Sequence, residues 1–199
     1  MPILFLQSLW ENKAWSNQRS TGWIIGDALN YITTSRKPSI RVRSLTKQIA
    51  FVFGATYITR GKGSISDLVS NARYSGIPFV FVVTEHNGNP HQLLMMQVTE
   101  KSWEIKESFF LKILLTRNEF KAGKSFEIRQ NNFVYSGKNK TLQWIFKTAE
   151  ISQDDNADLV VKDAKKGFSI FFKEKEIGPA FNLANRENTE EIKVIKCPE

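Results

Sequence analysis

The stretch ITTSRKPSIRVRSLTKQIAFVFGATYITRGKGSISDLV, residues 32–69, changes its hydrophobic period three times in 38 residues. Leu29 to Thr34 predicts a short strand. Pro38 suits the first turn of a helix, where its missing N–H leaves no bond unmade. Ile40, Leu45, Ile49, Val52 and Phe53 then recur at roughly helical spacing. Gly54 ends that helix, and Ala55 to Thr59 reads as a second strand. Arg60-Gly61-Lys62-Gly63 is a loop. Ser64 is a good N-cap with Asp67 three residues on, a variant of the capping box. Ile65, Leu68, Val69 and Ala72 supply the apolar face of the next helix, which Gly76 closes.

Working outward, Pro78 to Glu85 contains FVFVV and reads as a strand buried on both faces. Asn87-Gly88-Asn89-Pro90 is a turn, and Leu93 to Val98 returns as an antiparallel partner. The order β-α-β-α-β-β predicts an α/β domain with a mixed sheet and helices packed on it. Downstream, Phe109 to Leu115 reads as a strand and Thr141 to Glu150 as a helix facing Leu142, Ile145, Phe146 and Ala149 inward. Ser152 to Asn156 is a polar loop. Leu159–Val161, Phe168–Phe172 and Phe181–Leu183 read as short strands, and Glu190 to Lys196 as a tail or final edge strand. This pattern predicts a second α/β half. Residues 1–27 show no clear period, carry Trp10, Trp15 and Trp23, and are expected to be an N-terminal extension whose order the sequence leaves open.

Of the 199 residues, 41% are hydrophobic and 12% aromatic, enough for a substantial core, and 24% are charged, as in ordinary globular chains. One cysteine, Cys197, excludes an internal disulfide framework and a Cys-rich zinc site, and fits a reducing, cytoplasmic setting. No run of 18 apolar residues predicts a transmembrane helix. The start MPILFLQSLW lacks the basic leader and small-residue cleavage site of a secretory signal.

The net charge of +8 is concentrated. Between Asp27 and Asp67 there is no acidic residue, while Arg36, Lys37, Arg41, Arg43, Lys47, Arg60 and Lys62 all fall there. From Asp67 onward 19 basic residues face 18 acidic ones, close to balance. A solvated surface usually intersperses both signs, whereas a one-sign block inside a folded segment suits a polyanion. The plain alternative is a basic solvated face.

On the first helix Arg43 and Lys47 stand four residues apart, and with Arg36 they form a stripe opposite the apolar positions; Arg41 flanks it. Arginine forks match phosphate oxygens, and the helix N-terminus offers an anion site near Ser39 and Ile40. TRGKGS is not a nucleotide-binding P-loop, because Lys62 is followed by Gly63 and the residue five before Gly61 is Thr56. Two readings of that loop stand: a phosphate cradle using Arg60 and Lys62, or a plain turn. The two histidines, His86 and His91, flank a turn and suggest at most a weak metal site. No carboxylate pair or His–nucleophile pair is spaced for catalysis. Phe79, Phe81, Phe168, Phe171 and Phe172 read as core, while Tyr57 and Tyr74 lie nearer the basic loop and are candidates to stack on bases.

These residues carry a resemblance. Thr34 to Ser39, then Arg41 and Arg43, then Tyr57 to Gly61 resemble the opening of the Brix-domain family, and EIGPAFNL, Glu176 to Leu183, looks like its closing motif. The family commonly has Arg after the Gly-Pro of that motif; here Ala180 stands there. The resemblance implies one Brix domain over residues 28–185, made of two similar anticodon-binding-domain-like halves at about 28–100 and 101–185, with residues 186–199 as a tail. It implies the archaeal single-domain form and ribosome biogenesis through binding of precursor ribosomal RNA, possible assembly-protein partners, and no covalent catalysis. The expected RNA-binding set is Arg36, Lys37, Ser39, Arg41, Arg43, Lys47, Arg60 and Lys62. No metal, cofactor, membrane or small-molecule substrate is expected. A tRNA-binding accessory module and a protein-binding assembly scaffold are the alternatives, with a nuclease a distant third.

Overall fold

Between Asn30 and Val98 the alternating periods become alternating elements: β1 (Asn30–Thr34), α1 (Ile40–Ala50), β2 (Ala55–Tyr57), α2 (Ile65–Tyr74), β3 (Phe79–His86) and β4 (Asn89–Val98). The chain continues through β5 (Trp103–Leu115), β6 (Phe133–Ser136), α3 (Lys140–Thr148), β7 (Leu159–Ala164), β8 (Gly167–Phe172) and β9 (Lys175–Asn185). This computed structural model describes residues 30–120, 133–151, 153–164 and 167–185. The expected N-terminal extension over residues 1–27 and the tail strand at Glu190–Lys196 lie outside the described residues.

Among the described residues nine strands form one sheet, ordered β2-β1-β3-β4-β5-β9-β8-β7-β6. β1 runs parallel to β2 and β3, and β3, β4 and β5 alternate direction. The second half repeats the scheme: β6 and β7 are parallel, and β7, β8 and β9 alternate. The last strand of each half meets the other, β5 against β9, from Phe109↔Asn185 to Leu115↔Ala180. A parallel pair needs a crossover. In the first half α1, β2 and α2 supply it; in the second, α3 alone does.

The helices take different faces. Val42, Leu45 and Ile49 of α1 and Leu142, Ile145 and Phe146 of α3 enter one continuous core with Phe81, Phe109, Phe168 and Phe181. Leu68, Val69 and Ala72 of α2 pack on the opposite face, over Val80, Val82 and Met96. β3 is therefore covered on both sides, as FVFVV predicts.

Several boundaries depart from the sequence reading. β4 begins at Asn89 rather than Leu93, so only Asn87 and Gly88 of the expected four-residue turn lie outside the strands. β6 was not anticipated, because FVYS is four residues long beside a polar Gln-Asn-Asn run. β5 begins six residues before Phe109, in WEIKES, whose charges leave little apolar signal. β9 begins at Lys175 rather than Phe181, across the turn from β8.

Candidate nucleic-acid interface

Because β1, β2 and β3 are parallel, their carboxyl ends deliver three loops to one edge of the sheet. Arg36 and Lys37 follow β1, Arg60 and Lys62 follow β2, and the Asn87-Gly88 turn follows β3. The first loop is fastened by Ser35 N–H donating to Val83 O at 2.9 Å, and the second by Ile58 N–H donating to Ile32 O at 2.8 Å. Arg36, Lys37 and Lys62 are exposed, and Lys37 holds a φ of 51°.

Ser39 lies at the head of α1 but is engaged within the protein. Its N–H donates to the Glu85 carboxylate at 2.6 Å, its hydroxyl donates to Gly88 O at 2.8 Å, and that hydroxyl accepts from Val42 N–H at 3.3 Å. The positive helix end thus already faces a carboxylate from β3. Ser39 locks the β3–β4 turn onto α1.

The α1 cations divide between two flanks. Arg43 and Lys47 are exposed, and the Lys47 ammonium stands 5.4 Å from the Tyr57 ring centre on β2. Arg41 leans the other way, where its Nη1 donates to Asn89 Oδ1 at 3.0 Å. Glu119 lies within reach of that charge. Hydrogen bonds from Thr116 hold the Glu119 carboxyl below its ordinary range, and Arg41 adds to the effect.

The Arg60–Ser64 loop is a turn closed on itself. Gly63 N–H donates to Arg60 O at 3.0 Å, while Arg60 Nε donates to Gly63 O at 3.0 Å. Ser64 and Asp67 complete the capping box: Ser64 N–H donates to Asp67 Oδ2 at 2.8 Å and Asp67 N–H to Ser64 Oγ at 3.0 Å. The N–H groups of Gly63 and Ser64 are therefore committed, and the plain-turn reading describes this backbone better than a phosphate cradle. Partial burial, with the nearby charge of Arg36 second, lowers the Arg60 pKa. The Ser64 hydrogen bonds lower that of Asp67, and Arg36 contributes there too. Arg36 is thus electrostatically coupled to both ends of this loop.

Of the two tyrosines, Tyr57 joins the site and Tyr74 does not. Tyr74 is 88% exposed at the far end of α2, about 13 Å along a helix that rises ~1.5 Å per residue. The closing motif is packed: Ile177, Ala180, Phe181 and Leu183 are all buried. Ala180 presents no cation.

A cleft of about 440 Å³ opens beside Arg41, lined also by Asn89, His91, Phe110 and Lys112. The His91 ring lies 5.6 Å from Phe110 and 5.4 Å from His86. Sequence reasoning noted the histidines without joining them to Phe110 and Lys112, which are about 20 residues away in a segment read only as a strand. Among the described residues no three His, Cys, Asp or Glu side chains are grouped to hold a metal.

No family model matches the chain. Two curated archaeal relatives share the description "Probable Brix domain-containing ribosomal biogenesis protein". That of Methanopyrus kandleri is 38% identical over 81 residues, 40% of this chain and 42% of the relative. That of Methanococcus maripaludis is 27% identical over 163 residues, 76% of this chain and 93% of the relative. The match thus spans about two fifths of the first relative and nearly all of the second. Among solved structures, a "probable ribosomal biogenesis protein" from Aeropyrum pernix K1 aligns with a TM-score of 0.60 at 23% identity, over 82% of this chain and 98% of its own. This likeness shows a shared fold. By sequence the chain is a relative of the archaeal Brix domain-containing proteins, as residues 34–61 and 176–183 suggest.

Proposed function

We propose that this chain serves ribosome biogenesis by binding precursor ribosomal RNA, without covalent chemistry. The observation that carries the reading is the meeting of Arg36 and Lys37 with Arg60 and Lys62 at the carboxyl edge of β1 and β2, with Arg43 and Lys47 continuing the cations along α1. Cations more than 20 residues apart in sequence become one surface, and the descriptions of the relatives name the process such a surface fits. Arg41 extends it on the other flank. Ser39 acts by positioning the loop rather than by touching phosphate. The same reading takes residues 28–185 as one Brix domain acting in the cytoplasm. Its halves, about 28–100 and 101–185, are each similar to an anticodon-binding domain. The repeated strand scheme meeting at β5 and β9 supports two halves and favours a boundary after β5, which ends at Leu115, beyond the expected residue 100.

Changing Arg36, Arg43 and Lys47 together to Glu tests the surface. Affinity for precursor ribosomal RNA should fall, and the log–log salt slope should flatten by ~0.7 to 0.9 for each phosphate that is no longer neutralised. An unchanged slope moves the site elsewhere. Crosslinking in cells then names the RNA: precursor ribosomal RNA at discrete positions supports the reading, transfer RNA favours the accessory module, and no RNA above background favours a protein-binding scaffold.

A further inference from the structure

We infer that the cleft between the parted ends of β4 and β5 receives one unpaired nucleotide of a single RNA strand. The inference rests on the RNA-binding reading above and specifies what that surface holds. The β4–β5 ladder ends at Gln92↔Phe110, although β4 begins at Asn89 and β5 runs on to Leu115. Beyond that pair each strand follows its other neighbour: β4 stays with β3 as far as His86↔Asn89, and β5 stays with β9 as far as Leu115↔Ala180. The gap between them is the cleft. Its volume, about 440 Å³, lies within the range of small-ligand sites.

Its lining has the two chemistries a nucleotide needs. Phe110 is only partly covered and, with His91 at 5.6 Å, gives an aromatic surface on which a base stacks. Arg41 and Lys112, both exposed, supply the charge for the attached phosphate. The bond from Arg41 to Asn89 holds the guanidinium at the rim, so less side-chain freedom is lost on binding. No carboxylate is among the described lining residues. Arg41 also belongs to α1, so a backbone lying along Arg43 and Lys47 reaches the cleft by crossing one helix. A paired and stacked base cannot enter a gap between strands, so the subsite selects single-stranded RNA.

The test uses the full chain with two probes, a short single-stranded RNA and a duplex containing the same sequence. Phe110→Leu should weaken the single strand roughly tenfold, as expected when one base–aromatic stack is removed, and leave the duplex unchanged. Phe110→Tyr should restore binding, and circular dichroism should show both variants folded. Suppose instead that Phe110→Leu leaves single-strand affinity intact while the Arg36, Arg43 and Lys47 triple change still reduces it. The subsite is then overturned and the basic surface stands. Equal weakening of both probes by Phe110→Leu also overturns it. If the unaltered chain binds neither probe, the RNA reading fails and the subsite with it.

Discussion

Asn30 joins three elements from a fully buried position in β1. Its amide donates to Phe53 O at 3.4 Å, just after α1, and to Ala149 O at 3.2 Å, at the end of α3, while Oδ1 has no partner among the described residues. One side chain therefore links the two halves. Asn30→Leu removes both donors from buried carbonyls and should lower unfolding stability by about 1–3 kcal/mol in urea titrations. Asn30→Asp should cost more, because a carboxylate would face those carbonyls. Tyr135 is a second such residue. Its hydroxyl donates to Asp163 Oδ1 at 2.7 Å and accepts from Asn139 N–H at 2.8 Å, joining β6, β7 and the start of α3. Burial first, then the hydrogen bond to Asp163, pushes its pKa up to about 12. An unfolded phenol ionises near ~10. The folded state thus keeps its proton longer: the contribution to stability is whole below pH ~10 and is lost as pH rises towards 12. Following phenolate absorbance, Tyr135→Phe should remove a step near pH 12. It should also flatten the decline of Tm across that window.

At the scale of elements, β9 shows how a short motif does structural work. Gly178 holds a φ of +66°, and a Cβ there would run into the Phe120 ring. Gly178→Ala should therefore destabilise the protein for two reasons, backbone strain of ~1–2 kcal/mol and the collision with Phe120. A double-mutant cycle separates them: in a Phe120→Ala background the glycine change should cost less, with the backbone part remaining. Additive effects would deny the collision. The same contrast explains what the sequence could reveal. α1, β2, α2 and the β3–β4 turn were legible because Pro38, Gly54, the Ser64–Asp67 box and Asn87-Gly88 are local signals, each confined to a few residues. The Glu85 carboxylate at the head of α1 was not, since it comes from 46 residues away. Nor was the cleft, which exists because two strands part, an event that neither strand's own pattern records. The basic block was legible as charge, while its division into an Arg43–Lys47 flank and an Arg41 flank required the partners Tyr57 and Asn89.

For the molecule as a whole, the decisive feature is that the repeated halves do not have separate cores. α1 and α3 pack on the same face of one sheet, and a single buried cluster runs from Ile32 to Leu183 through the β5–β9 pair. Two halves with independent cores would unfold in two steps, as multidomain chains do. One shared core forbids that, because unfolding of the second half exposes the flank of the first. Phe181 is a suitable probe: it is fully buried in β9, 5.5 Å from Phe168, and within the sheet β9 pairs with the first half through β5. Phe181→Ala should cost about 3–5 kcal/mol. Calorimetry should show one transition moved to lower temperature, with calorimetric and van't Hoff enthalpies still equal. Amide exchange should quicken together in β3 and β8, although β3 makes no pair with β9. A new early transition confined to β6–β9 would show that the halves fold separately, and the shared face of α1 and α3 would then be an interface between domains.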